Sequence, residues 1–395
     1  MAKFLNKIIP QSAVVVLALL TVGAIVGFAA VGHLVTRYNG NQQARGRRLY
    51  AQGLADLNSG NPNKALEELR AALTCDPDNS QYQLSLGRAL RDTGRLDEAQ
   101  SYLESLWERD PEDGTINLAL ARLAARRGSI NDALRYYHNA MYGVWPSDAD
   151  VNRRKAQIEL IEFLLQKSAL AQARSELLSL SASLPPDPVL LLRTAELMVQ
   201  AQDYPDALSE YERVLRIDRG NPAALAGAGE TAYRAGRYRT AEHYLQAAVN
   251  ANPKDENLRD LLESANMILQ TDPFVRRISD AERNRRLAAA FTDAGQRLSA
   301  CAQQKGISLL VVKPAASSLS PPPASTSPLA SLQSRWLATK PDIPHLRYAE
   351  ENDLPDVIMD LVFSIEQQTA QECGDAQGVN HALLLIARDR DSADQ

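Results

Sequence analysis

Residues 60–79 read "GNPNKALEELRAALTCDPDN". A glycine opens the stretch, Ala-Leu sits in its middle, and Asp-Pro closes it. Thirty-four residues on, from Gly94, the chain reads "GRLDEAQSYLESLWERDPED"; from Gly128 it reads "GSINDALRYYHNAMYG", and from Gly236 "GRYRTAEHYLQAAVNANPKD". The alanine recurs as Ala65, Ala99, Ala133, Ala173, Ala207 and Ala241, and every step but one is 34 residues. Four residues after each comes a large apolar residue: Leu69, Leu103, Tyr137, Leu177, Tyr211 and Leu245. A fixed period of this length is the signature of a stacked repeat. The small residue lets two helices approach, and the apolar residue one turn later fills the groove beside it. Glycine allows the tight turn before each second helix, and Pro77, Pro111, Pro185 and Pro253 stop the helix after it. One such hairpin cannot bury its own apolar face, so the array is stable only as an array.

Period and positions resemble the tetratricopeptide repeat (TPR). In that family a small residue stands in the first helix of each unit, and here Gly53, Gly87, Ala121, Ala195 and Gly229 take that place. The fourth unit departs, with Ile161 there, and it follows a 40-residue step. The extra six residues are assigned to the Pro-containing connection "GVWPSDAD", residues 143–150. The fifth unit ends in "DRGNP" without the closing proline. The resemblance spans residues 46–254, over half the chain.

Of 395 residues, Lys and Arg number 43 and Asp and Glu 48, a net charge of −5. The charge is uneven. Lys3, Lys7, Arg37, Arg45, Arg47 and Arg48 all precede the first acid, Asp56, which leaves −11 for the rest of the chain. An anionic main body argues against nucleic acid as the partner. From Ile8 to Thr36 no Asp, Glu, Lys or Arg occurs, ample for a helix of about 20 residues across a bilayer. A cleaved signal peptide, with a small-residue site near "GFAA", is the rival, but its apolar core runs only about 7–15 residues. The segment is read as an uncleaved single-pass anchor, in a bacterial inner membrane. Basic residues flank it on both sides, so the side of the soluble part stays open. Gly23 and Gly27 stand in GxxxG spacing, which allows two such helices to touch and the chain to form a homodimer.

The expected organisation is all-α: a basic tail over 1–10, a transmembrane helix over 11–36, a juxtamembrane linker over 37–45 and a TPR α-solenoid of about six helix-turn-helix repeats over 46–254. Capping and extension helices follow over 255–305, then a Pro/Ser/Ala-rich linker over 306–330 containing "PAASSLSPPPASTSP", and a small helical unit over 331–395. Ser279 and Glu282 have capping-box spacing. Leu287, Phe291, Ala294, Leu298 and Cys301 then share one helical face, as do Ile358, Leu361, Val362 and Ile365. The run "HALLLIARD" is too short to assign as helix or strand. "DPFVRRISDAERNRRL" and "DLVFSIEQQTAQECG" resemble parts of bacterial membrane-anchored TPR proteins, a resemblance that supplies no reaction.

TPR arrays bind peptides or protein segments along a concave face lined by the first helix of each unit; the resemblance implies the same here. Equivalent lining positions read Leu54, Arg88, Arg122, Glu162, Glu196 and Glu230, with Arg91 and Arg126 beside the early ones. A basic first half and an acidic second half would fix a charged partner in one orientation; ordinary solvated helix faces are the plainer alternative. Asn is absent from all six positions, which does not support the family's clamp for a C-terminal carboxylate. Arg276, Arg277, Arg283, Arg285 and Arg286 form a second basic cluster, read chiefly as a solvated face balanced by Asp280 and Glu282 and otherwise as a contact for anionic lipid or an acidic partner.

Three scattered cysteines and five histidines show no metal spacing, and the paired cysteines of a related lipopolysaccharide-assembly TPR protein are missing. Cys301 and Cys373 each end an amphipathic helix. They could pair if the tail packs back and lies outside the cytoplasm, though two separate buried thiols are the preferred reading. No catalytic residues, metal or cofactor are expected. The function expected is a membrane-anchored, non-enzymatic scaffold for protein partners, in assembly or organisation of a membrane or envelope complex. The alternative is a C-terminal enzyme to which the array presents substrate.

Overall fold

A computed structural model describes residues 11–307, 327–345 and 354–393. The basic tail 1–10 and most of the Pro/Ser/Ala-rich segment lie outside the described residues. Those described form 17 α-helices and no strand. Helix α1 runs Gln11–Asn58, and six hairpins follow from it. The first pairs the C-terminal part of α1 with α2 (Pro62–Cys75). The next are α3 (Ser80–Asp92) with α4 (Leu96–Arg109), and α5 (Gly114–Arg127) with α6 (Ile130–Tyr142). After them come α7 (Ala149–Gln166) with α8 (Leu170–Ser183), α9 (Pro188–Gln200) with α10 (Tyr204–Ile217), and α11 (Pro222–Arg234) with α12 (Tyr238–Ala251). The chain divides into two compact units, residues 1–176 and 177–395.

Four of the first helices, α3, α5, α9 and α11, begin on side-chain caps, and α7 does not. Asn79 accepts from the N–H groups of Gln81 and Tyr82, Asp113 from Thr115 and Ile116, Asp187 from Val189, and Asn221 from Ala224. Each satisfies amide donors that the first helical turn leaves without a partner. The turn into each second helix places one residue in the left-handed region. It is Gly60, Gly94, Gly128 and Gly236 in four units, at φ of 70–80°, and Ser168 (55°) and Gln202 (58°) in the fourth and fifth. The geometry is therefore invariant where the residue is not, and the two side-chain-bearing residues carry local strain there.

The six anchor alanines are wholly buried, and their partners Leu69, Leu103, Tyr137, Leu177, Tyr211 and Leu245 are nearly so. A Cβ added to Gly87 would stand 2.8 Å from Leu103 Cδ2, and one on Gly229 2.8 Å from Leu245 Cδ2. Where tyrosine replaces leucine, Ala121 and Ala195 fill the small position, both fully buried. Each buried leucine contributes about 1.5–3 kcal/mol, repeated unit after unit.

Two expectations need correction. Residues 37–45 are helical, not a linker: α1 continues unbroken from its apolar part into the first repeat, because that stretch holds no proline and no capping break. The 40-residue step is also not confined to a loop. α7 has 18 residues where α3, α5, α9 and α11 have 13 or 14, so the extra residues divide between the loop and the helix. The loop is pinned. Gly114 N–H donates to Val144 O and Val144 N–H to Glu112 O, both at 2.8 Å. Trp145 lies against Gly114, where any Cβ would overlap its indole, and its Nε1 donates to Ala140 O at 2.9 Å.

Beyond the array come α13 (Glu256–Thr271), α14 (Asp280–Gln304), α15 (Pro328–Thr339), a 3-10 turn over Lys340–His345, α16 (Leu354–Cys373) and α17 (Gly378–Ala393). They share one core that includes Leu287, Phe291, Leu298, Ile358, Val362 and Leu383. Ser279 caps α14 by accepting from Glu282 N–H. The run "HALLLIARD" belongs to α17, and Leu383, Ile386 and Ala387 turn into the core. Trp336 stacks on Phe291 with ring centroids 5.2 Å apart, and its Nε1 donates to Phe291 O at 2.9 Å. A disulfide joins Cys301 and Cys373, with Cα atoms 5.8 Å apart; it replaces the two separate thiols preferred from sequence.

Candidate functional site

In the first unit, α3, α5 and α7 line a concavity of about 580 Å³ bounded by Arg91, Asp92, Arg122, Arg126, Glu159 and Glu162, with Tyr137 behind them. Three units thus contribute their first helices to one surface. Its charge is not the free basic field expected. Arg122 donates to both oxygens of Glu159, each at 2.8 Å. Arg91 Nη2 lies 2.7 Å from Asp92 Oδ1, and Arg88 Nε 4.0 Å from Asp92 Oδ2. The lining positions alone did not show this, because Asp92 and Glu159 sit outside their register. Arg126 is exposed and, among the described residues, has no carboxylate within ion-pair distance. Burial pushes the Tyr137 phenol up, and Glu159 adds to the effect.

In the second unit, Glu196 of α9 lies 3.4 Å from Arg193, and Glu230 of α11 accepts from Asn257 Nδ2 at 3.4 Å. Tyr211 is buried near both; burial first, then these two carboxylates, push its phenol up to about 12. The acidic positions are thus light partners of their neighbours, with Glu196 exposed to solvent.

Among the other residues singled out, Leu54 is half-buried in the first-hairpin core. Gly23 and Gly27 lie on α1 with nothing within 4 Å of a Cβ built on either. That helix is the one candidate membrane span among the described residues, with a mean hydropathy of 2.1 and none of its apolar window buried. Of the second basic cluster, Arg285 and Arg286 pair with Glu282, and Arg283 donates to Pro273 O. Arg286 also donates to the carbonyls of Leu269 and Asp272. These three arginines build structure. Arg276 and Arg277 do not join them; they meet Arg237 and Arg239 around a separate concavity that no reading of lining positions could find.

The sequence matches the family model described as tetratricopeptide repeat over residues 56–123, 90–140 and 198–265. No curated protein matches it. Similar solved structures include Pseudomonas aeruginosa PilF, 17% identical over 56% of this chain and 97% of its own, with a TM-score of 0.38. PilW, described as a widely conserved type IV pilus biogenesis factor, is 18% identical over 55% of this chain and 98% of its own, with a TM-score of 0.38. The C-terminal part of a TPR repeat-containing protein from Cytophaga hutchinsonii is 13% identical over 60% of this chain and 92% of its own, with a TM-score of 0.43. Six hairpins in phase each have a buried alanine and a left-handed turn, and over residues 56–140 and 198–265 the sequence of these hairpins is that of the tetratricopeptide repeat.

Proposed function

We propose that this protein is a membrane-anchored, non-enzymatic scaffold that holds a protein partner on the concave face of its repeats and organises a membrane or envelope complex. The observation that carries the reading is the concavity shared by α3, α5 and α7, whose polar side chains come from three successive units. A surface assembled that way suits an extended segment better than a small substrate. The ion pairs Arg122–Glu159 and Arg91–Asp92 hold its floor in place, Arg126 stands exposed in its lining, and Arg88 lies exposed on the same helix as Arg91. Charge at an edge sets orientation and capture rate more than affinity. Confinement by α1 raises the local concentration of partners that share the membrane, so modest affinity suffices.

The disulfide supports an orientation. Such bonds persist in oxidising compartments, so the soluble part is read as lying outside the cytoplasm, with the short N-terminal tail inside. Gly23 and Gly27, one turn apart with open space at each, give α1 a flat face on which a second copy can pack.

The test places a photo-crosslinking residue at position 126 of the full-length chain in its native membrane, with position 135 on α6 as the control. The scaffold reading expects a discrete protein adduct from position 126 that is missing from position 135 and disappears when Arg88→Glu and Arg91→Glu are added. Identical adducts from both positions would sink it. Non-reducing peptide mapping of the same preparation checks the orientation: a linked Cys301–Cys373 peptide supports export, and two free thiols oppose it.

A further inference from the structure

The sixth hairpin gathers arginines at the start of its second helix. Its second helix, α12, starts at Arg237 with no side-chain cap and no acid in its first turn. The first N–H groups of any helix lack intrahelical partners, and the helix dipole places partial positive charge there. Acids belong at such an end: α4 has Asp97 and Glu98 in its first turn, α6 has Asp132 and α10 has Asp206. α12 has Arg237 and Arg239 instead, which adds positive charge to positive charge. Facing them, the turn after α13 brings Arg276 and Arg277, and Arg277 is held at φ 68°, a conformation a residue with a side chain rarely adopts.

These four arginines surround a concavity of about 570 Å³. All four are exposed, and among the described residues none lies within ion-pair distance of a carboxylate. The one acid in the lining, Asp272, accepts the Phe274 N–H at 2.8 Å and so helps to shape the turn. The floor is apolar, built from Leu269, Phe274, Val275 and Ile386.

We propose that this concavity is a second docking site, for an acidic segment of a partner protein that inserts one apolar side chain. Four arginines gathered against a helix N-terminus, with Asp272 the one acid in the lining, leave an excess of positive charge that an external anion relieves. Four guanidinium groups around one recess match several carboxylates in an extended peptide. The recessed apolar floor selects a peptide side chain over a bare phosphate, which has nothing to place there, and over a flat bilayer surface, which cannot enter. The site is independent of the concave face formed by α3, α5 and α7.

The experiment uses the full chain in nanodiscs of zwitterionic lipid and a fluorescent peptide of two glutamates, one phenylalanine and two aspartates. Binding is read by anisotropy. The expected result is saturable binding that weakens about ten-fold in Arg239→Glu with Arg276→Glu, weakens when alanine replaces the peptide's phenylalanine, and is unchanged in Arg88→Glu with Arg126→Glu. Because a glutamate at the start of α12 suits the helix dipole, the first double variant keeps or raises its melting temperature, which separates lost binding from lost folding. Equal binding to the wild type and that variant overturns the proposal. So does full competition by millimolar inorganic phosphate with no effect of the phenylalanine, which reports a simple anion site. Capture of phosphatidylglycerol vesicles through the same arginines, with no peptide binding, overturns it in favour of a lipid contact.

Discussion

The repeat array and the C-terminal module are both helical, yet they are held together in different ways. The array relies on one contact made in five of six units: a small residue on a first helix against the Leu or Tyr sixteen positions later, as in Gly87 with Leu103 and Ala121 with Tyr137; the fourth unit has Ile161 in that place. No single copy dominates. The module of α14 to α17 relies on a few unlike contacts: the Phe291–Trp336 stack, the disulfide, and a buried Glu366 beside Arg297. Repetition spreads stability over many equivalent places, whereas a one-off core concentrates it. The comparison predicts that substitutions of the same kind will be tolerated in the array and damaging in the module.

The largest effect tests that directly with glycine to alanine. At Gly295 a Cβ would overlap the Trp336 indole, which its stacking on Phe291 and its hydrogen bond to Phe291 O hold in place. At Gly87 it would meet the end of the flexible Leu103 side chain. Gly295→Ala is expected to cost about 3 kcal/mol, as overpacking against a fixed group does. Gly87→Ala should change stability by less than about 1 kcal/mol, because the gain in helix propensity offsets a small repacking cost. Chemical denaturation of both variants decides it; equal losses would break the distinction between the two regions.

A second, smaller effect concerns Glu366. It is fully buried, and Arg297 Nε lies 3.3 Å from its Oε2. That Nε donates to Thr369 Oγ1 at 2.7 Å, and Nη2 to Gly374 O at 2.9 Å, so neither carboxylate oxygen receives a well-aimed hydrogen bond. Burial pushes the Glu366 carboxyl up to about 7; Arg297 opposes the shift and Asp293 adds to it. A carboxyl whose folded pKa lies above its unfolded value binds its proton more tightly in the folded chain. Its contribution to stability is complete below the unfolded pKa and is lost as pH rises through about 7. Glu366→Gln should therefore flatten the fall in melting temperature between pH 5 and 8 and stabilise the protein at pH 8 by about 2 kcal/mol. A variant less stable at pH 8 would show instead that the charged pair with Arg297 contributes net stability.

The smallest effect sharpens the picture of the array. Gln202 occupies the left-handed turn position that glycine holds in four other units. Gln202→Gly should raise stability by about 0.5–1 kcal/mol, measured by thermal melting. No gain would mean that the cost of ordering a glycine outweighs the relief of strain at that turn.

Much of this was legible in the residues themselves. The 34-residue period, the buried alanines, the capped first helices and the glycine turns follow from local rules that most units obey: a small residue where backbones approach, Asn or Asp where amides lack partners, glycine where φ is positive. The long apolar stretch of α1 was legible for the same reason, since its length and lack of charge are properties of the chain alone. Other features depended on distance in space. Glu159 neutralises Arg122 from 37 positions away, so reading one lining position per unit overstated the basic charge of the concave face. Arg237 and Arg239 meet Arg276 and Arg277 only because the sixth hairpin and the turn after α13 converge, and Cys301 reaches Cys373 across 72 positions because α14 packs on α16. The repeat was set by short-range chemistry, while charge balance, the disulfide and the second arginine site were set by which distant side chains the folded chain brings within a few ångströms.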